Sequence, residues 1–358
     1  MDEVAVSAAK PNFAELAAHL GGPSFAGLAE QLAAAAPPPM TLRRFVAIRR
    51  RLRPLLVVAD GMGVDSSGML EGLRRLGAQP DIILHAETGD EWPETIAFRE
   101  ERQRWLRSIG FPPFIMVQRN PGVSEVTGMP FSTLGEKCLA YESLPGQAFG
   151  KKSCSSEWKI RPQEAWLAKD PRAQALWARG GKVVKAIGYD AGYRDSRRAH
   201  HLTNDEHYEY IYPLREWGWD RPRIIAELRA VGAPIPPKSA CYFCPASKPW
   251  EIARLVRDHP VLADRIVVIE DAAQPKLKGI EGLWGRTVKG FRGAIPKPGA
   301  MAEFIRALRR DRAMLKRYLA MEPPEEQYTG PVGRVPEFVN ERNQGTKRRL
   351  PLLEEDAA

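Results

Sequence analysis

One pattern limits the possible fold more than any other: a short apolar run, a glycine turn and an amphipathic helix, repeated along the chain. Leu55-Leu56-Val57-Val58-Ala59 runs into Gly61-Met62-Gly63, and residues 66–76 have helical spacing of apolar positions. Residues 81–86 read as a second buried strand, 94–110 as a long helix stopped at Gly110, and 114–117 as a third strand. A helix is predicted over 162–179, a strand over 182–187 closing on Gly188, and a helix over 221–231. Strands alternating with helices need crossover connections, and these are right-handed. The prediction is therefore an α/β fold, a doubly wound parallel sheet covered on both faces, with helical N- and C-terminal additions and the ligand site at the carboxyl ends of the strands.

Outside that core the composition changes. Residues 1–52 read as an Ala-rich helical extension, interrupted at Gly21-Gly22-Pro23 and ended at Pro37-Pro38-Pro39. Residues 53–250 form the predicted core domain, 251–322 a helical region with a basic amphipathic stretch at 299–321, and 323–358 a flexible tail. The start, MDEVAVSAAKPNF, lacks the layout of a secretory signal, and no run approaches the roughly 18 apolar residues of a membrane span. A cytoplasmic protein with no membrane partner is expected. The net charge of +9 suits a polyanionic partner, a nucleotide or a nucleic acid, but Arg-rich helices and a basic tail alone would also produce it.

The turn Gly61-Met62-Gly63-Val64-Asp65-Ser66-Ser67 sits between strand and helix. Glycines let its backbone bring N–H groups to a phosphate, and Ser66 and Ser67 would add hydroxyls at a helix N-terminus. An ordinary βα turn with an N-capping serine has the same composition. Cys138, Cys154, Cys241 and Cys244 are the cysteines, the last two as C-x-x-C in a loop. Four thiolates suit a 4Fe-4S cluster or tetrahedral zinc, and buried reduced thiols need no metal. Tyr208, Tyr210, Tyr212, Trp217 and Trp219 are candidates to stack on a base or simply to pack.

Three segments together resemble the phosphoadenosine-phosphosulfate reductase-like family of the PP-loop, or adenine nucleotide alpha hydrolase, superfamily. GMGVDSS at 61–67 is similar to Ser-Gly-Gly-x-Asp-Ser-Ser/Thr, with Gly61 and Met62 in place of the first Ser and Gly. Residues 85–95, HAETGDEWPET, resemble the family's D-T-G-x-x-x-P-E-T, with Glu87 for Asp. Residues 188–198, GYDAGYRDSRR, resemble its G-(I/V)-R-x-x-E-S stretch, with Asp195 for Glu and altered spacing. The resemblance covers about residues 53–250. It implies Asp65 and Ser66 as catalytic residues. It implies Gly61, Gly63, Ser66, Ser67, Glu87, Thr88, Gly89, Gly188, Arg194, Ser196 and Arg198 as the nucleotide and phosphate site.

Cys154-Ser155 through Pro162 also resembles the family's C-C-x-x-x-K-V-x-P segment, with Ser155 in place of the second cysteine. That likeness implies a 4Fe-4S cluster on Cys154, Cys241 and Cys244, with Cys138 as a substitute fourth ligand and zinc as the alternative. ATP or another adenine nucleotide with Mg2+ is the implied cofactor set, and DNA or tRNA and a sulfur-donor protein are the implied partners. Because no cysteine follows Cys244, the nucleophile of a sulfonucleotide reductase is not where the family carries it. The expected activity is α–β cleavage of ATP to activate a substrate for sulfur transfer. The alternatives are reduction of a sulfonucleotide with an external thiol, and a non-catalytic nucleotide-binding component of a modification or defence complex.

Overall fold

A computed structural model describes residues 54–146, 153–192, 195, 202, 204–288 and 297–322. All of them fall in one compact unit, Thr41–Ala358. The extension expected over 1–52 and the tail over 323–358 lie outside the described residues, as do Arg194, Ser196 and Arg198.

The strands are β1 (Leu56–Ala59), β2 (Ile82–Glu87), β3 (Phe114–Gln118), β4 (Gly122–Val123), β5 (Pro130–Phe131), β6 (Val183–Ile187) and β7 (Tyr208–Ile211). Five of these form one sheet in the order β3-β2-β1-β6-β7, every neighbour parallel. At its centre Val57 stands opposite Ile82 on one side and Lys185 on the other. The expected α/β parallel sheet is the fold observed. β4 and β5 make a separate antiparallel pair inside the loop-rich stretch after β3.

The helices are α1 (Val64–Arg75), α2 (Pro93–Ser108), α3 (Leu134–Ala140), α4 (Arg161–Leu167), α5 (Pro171–Ala178), α6 (Pro213–Glu216), α7 (Arg221–Ala230), α8 (Pro249–Asp258), α9 (Pro260–Ala273), α10 (Met301–Arg310) and α11 (Arg312–Leu319). Leu167 of α4 and Leu176 of α5 cover one face of the sheet against Val57, Leu84 and Val183. α1 covers the other, closely packed against the segment that follows β7. A Cβ on Gly72 would lie 2.1 Å from the Trp217 ring, so only glycine admits that indole. A second core joins Trp92, Trp158 and Phe243 to Ile252, Ile266 and Phe304. It draws on residues from both sides of position 250.

Two predicted helices are interrupted. The one expected over 162–179 breaks before Pro171, where Asp170 accepts hydrogen bonds from the amides of Arg172 and Ala173 and starts α5. A π-helical turn, Ser155–Ile160, precedes α4. The helix expected over 299–321 breaks at Asp311, which caps α11 through the Met314 amide. Buried Glu270 anchors the start of α10 by accepting from the amides of Leu283, Met301 and Ala302. Among the described residues no helix is long and apolar enough to cross a membrane.

Candidate functional site

From β1 the chain winds outward to β2 and β3, then returns to lay β6 on the other side of β1. The order therefore reverses between β1 and β6, and the crevice outside their carboxyl ends is where such sheets bind ligands. The turn Asp60–Gly63 and Gly188 both lie at these strand ends. A Cβ on Gly188 would fall 3.1 Å from the Ser66 nitrogen and 3.3 Å from both the Asp65 carbonyl carbon and the Ser66 Cα. All three are backbone atoms that cannot swing aside, so Gly188 lets the end of β6 lie directly on the first turn of α1.

The turn is held from inside by an acid that sequence reading passed over. Asp60, 2 % exposed, accepts at Oδ1 from the Met62 amide (2.9 Å) and the Ser66 hydroxyl (2.8 Å). Met62 takes φ 55°, a left-handed conformation unusual for a residue with a side chain, and buries that side chain completely. The Ser66 hydroxyl also meets the Gly63 carbonyl and amide, and the Ser67 hydroxyl donates to the Gly63 carbonyl at 2.9 Å. Both hydroxyls are thus engaged inside the turn. The amides of Val64, Asp65 and Ser66, at the N-terminus of α1, have no partner among the described residues. Ser239 closes the turn from outside by donating to the Gly61 carbonyl.

Among the described residues, acids and an arginine stand at the mouth. Asp65 pairs with Arg221, the first residue of α7, at 2.5 Å. Burial pushes the Asp65 carboxyl up to about 6; Arg221 opposes that shift, while Asp190 and Asp195 add to it. Asp190 in turn accepts from the Gly192 amide at 2.9 Å.

The second segment, at the end of β2, is built as a linked set. Glu87 accepts from the Gly89 amide at 2.9 Å and pairs with Arg99 of α2. Glu91 accepts from the Thr88 amide (3.0 Å) and hydroxyl (2.6 Å), and that hydroxyl lies 3.1 Å from the Cys241 Sγ. Residues 238–241 lie against this segment: Trp92 donates to the Ala240 carbonyl at 3.2 Å, and the Thr95 hydroxyl to the Lys238 carbonyl at 2.8 Å. Of the three predicted residues Thr88 meets the C-x-x-C loop, at Cys241, while Glu87 and Gly89 are bonded to each other, and Ser239 joins the residues next to that loop to the Gly61–Gly63 turn.

Burial, with the hydrogen bond and charge of Glu91, pushes the Glu87 carboxyl up to about 7, whereas hydrogen bonds from Glu87 and Thr88 hold Glu91 below the usual range against its own burial. Glu87 in the folded protein keeps a proton that the unfolded chain releases near pH 4.5. Its contribution to stability is therefore full below that pH and lost as pH rises through about 7. Replacing Glu87 by Gln removes the dependence. Between pH 5 and pH 8 wild type is expected to lose about 2–3 kcal/mol more than Glu87→Gln in urea unfolding, from about 1.4 kcal/mol per pKa unit. Equal losses would show that Glu87 is ionised throughout.

The cysteines are free thiols. Cys138 is buried, and desolvation raises its thiol to about 12, with Asp90 and Cys154 adding to the shift. Cys241 is raised further by burial, with Cys244 as a minor contributor. Among the described residues, no three His, Cys, Asp or Glu side chains are grouped as a metal ion requires. All four cysteines are described, and as placed they do not fit one four-thiolate centre. Spacing along the chain suggested a grouping that the packing does not make, and no chemical step is assigned to a cluster or to zinc.

The aromatic cluster is mostly occupied with packing. Tyr208 and Tyr210 cover the buried Lys185 ammonium (5.2 and 5.9 Å), Trp217 fills the space over Gly72, and Arg75 lies over Trp219 at 5.7 Å. Tyr212 stacks on Tyr189, rings 5.7 Å apart and 10° from parallel. One shallow cavity of about 260 Å3 lies between α2 and the segment after α7, lined by Glu101, Trp105 and Pro234, away from the turn.

No protein-family model matches this chain, and no curated protein does. Among solved structures it is similar to the phosphoadenylyl-sulfate (PAPS) reductase of Candida auris, a phosphate complex, at 13% identity and TM-score 0.30 over 56% of this chain and 92% of that one. It is also similar to the U34-tRNA thiolase NcsA of Methanococcus maripaludis with its 4Fe-4S cluster, at 12% identity and TM-score 0.30 over 65% and 78%. The sheet order, not this likeness, establishes the fold.

Proposed function

We propose that this chain is an enzyme that seats the phosphates of an adenine nucleotide on the Gly61–Ser66 turn. We further propose that it cleaves Mg-ATP between the α and β phosphates to activate a substrate for sulfur transfer, with tRNA or DNA as the acceptor. The observation that supports the reading is the set of Val64, Asp65 and Ser66 amides at the N-terminus of α1, without partners among the described residues, placed at the switch point of the sheet and backed by Gly188. Amides fixed in advance at a helix N-terminus hold negative oxygens without reorganising.

In this reading a substrate oxygen attacks the α-phosphorus, the bond to the bridging oxygen breaks, and pyrophosphate leaves with the electron pair. A sulfur nucleophile from a donor protein then displaces AMP. Asp65 would hold the Mg2+ that the nucleotide brings. Arg221, held beside it at 2.5 Å, supplies a cation at the turn's mouth for charge developing on the phosphates. The test is amide hydrogen exchange with and without ATP, with the products analysed alongside. AMP and pyrophosphate support the cleavage; sulfite from a sulfonucleotide would instead indicate a reductase, and protection without turnover a nucleotide-binding component.

A further inference from the structure

Arg102 of α2 is completely buried, and its environment does not explain its charge. Its Nη2 donates to the Ser67 hydroxyl at 2.5 Å, its Nε lies 3.6 Å from Asp60 Oδ2, and Phe98 and Trp105 flank the guanidinium at 5.3 Å each. Nε and Nη1 make no hydrogen bond. A fully buried arginine so sparsely paired is a poor source of stability. One turn earlier on the same helix Arg99 holds Glu87, the acid at the end of β2, just as Arg102 faces the acid at the end of β1.

We propose that Arg102 is a buried counter-charge and positioning residue for the phosphate turn. It cancels the Asp60 carboxylate, which would otherwise repel an anion from directly beneath the turn, while leaving Asp60 Oδ1 free to hold Met62 and Ser66. The inference rests on the nucleotide reading of the turn. An uncancelled carboxylate about 5 Å from a bound phosphate, at an effective dielectric near 20, weakens binding by roughly two orders of magnitude. Asparagine at position 60 would keep the Oδ1 acceptor without the charge, so removing both charges should be tolerated where removing one is not.

The experiment compares wild type, Arg102→Gln and the double variant Arg102→Gln with Asp60→Asn, using ATP and inorganic pyrophosphate as probes and amide exchange over residues 60–67. Arg102→Gln is expected to weaken both ligands about 100-fold and to speed exchange of the turn about tenfold. The double variant is expected to return within about fivefold of wild type in both. A folded double variant as weak and as mobile as the single one would overturn the counter-charge. If Arg102→Gln does not fold, the double variant against wild type decides by the same margin. If wild type binds neither probe, the nucleotide reading fails, and the exchange comparison alone judges Arg102: rescue supports its hold on the turn, no rescue refutes it.

Discussion

Asp60→Ala is expected to destabilise the protein by about 3–5 kcal/mol, the cost of leaving one partner of a buried ion pair without the other. The substitution strands a guanidinium that no solvent reaches and deprives Met62 and Ser66 of their shared acceptor. The turn would then lose the contact that holds Met62 in its left-handed conformation. For a chain of this size the shift corresponds to a fall of about 4–7 °C in midpoint temperature. Asp60→Asn alone keeps the acceptor and should lose less. Urea unfolding of the two variants checks the order; equal losses would mean that charge, not the hydrogen bonds, sets the cost.

Gly188→Val is expected to remove nucleotide binding, lowering ATP affinity at least 100-fold while far-ultraviolet circular dichroism stays close to wild type. Its Cβ would press on the Asp65 and Ser66 backbone at 3.1–3.3 Å, and the added methyl groups leave no room for accommodation. The first turn of α1 must move off β6, and the amides it carries move with it. Because these amides serve the phosphates rather than the base, pyrophosphate should be lost in parallel with ATP. Calorimetric titration of the variant with both ligands checks this. Retained affinity would show that the amides are not the binding groups.

Much of the sheet can be read from the sequence because its strands are buried on both faces. β1 is a continuous apolar run, β2 is apolar but for His85 and Glu87 and β6 but for Lys185, and each ends on the turn or loop that the motifs mark. β7 escaped because Tyr208-Glu209-Tyr210-Ile211 is an edge strand of aromatic and charged residues, without an apolar run. The helix breaks at Asp170-Pro171 and Asp311 had local signatures, a capping acid in both and a proline in one, that apolar periodicity overrode. The Asp60–Arg102 pair had none, since the two residues come from different crossover units and are joined only by packing. The same limit applies to the cysteines: C-x-x-C is visible in sequence, whereas the distances among four thiols depend on the tertiary fold. Ser239, which links the phosphate turn to the Cys241 loop, is likewise invisible until the two strand ends are placed.

The central claim is that the turn after β1 receives a nucleotide's phosphates. Amide hydrogen exchange in the presence of Mg-ATP tests it most directly. Peptides covering residues 61–67 should gain at least tenfold protection, with the region around Gly188 following, while peptides from α9 and α10 remain unchanged. Protection confined to other segments, or none at saturating ATP, would contradict the account and leave only the parallel sheet standing.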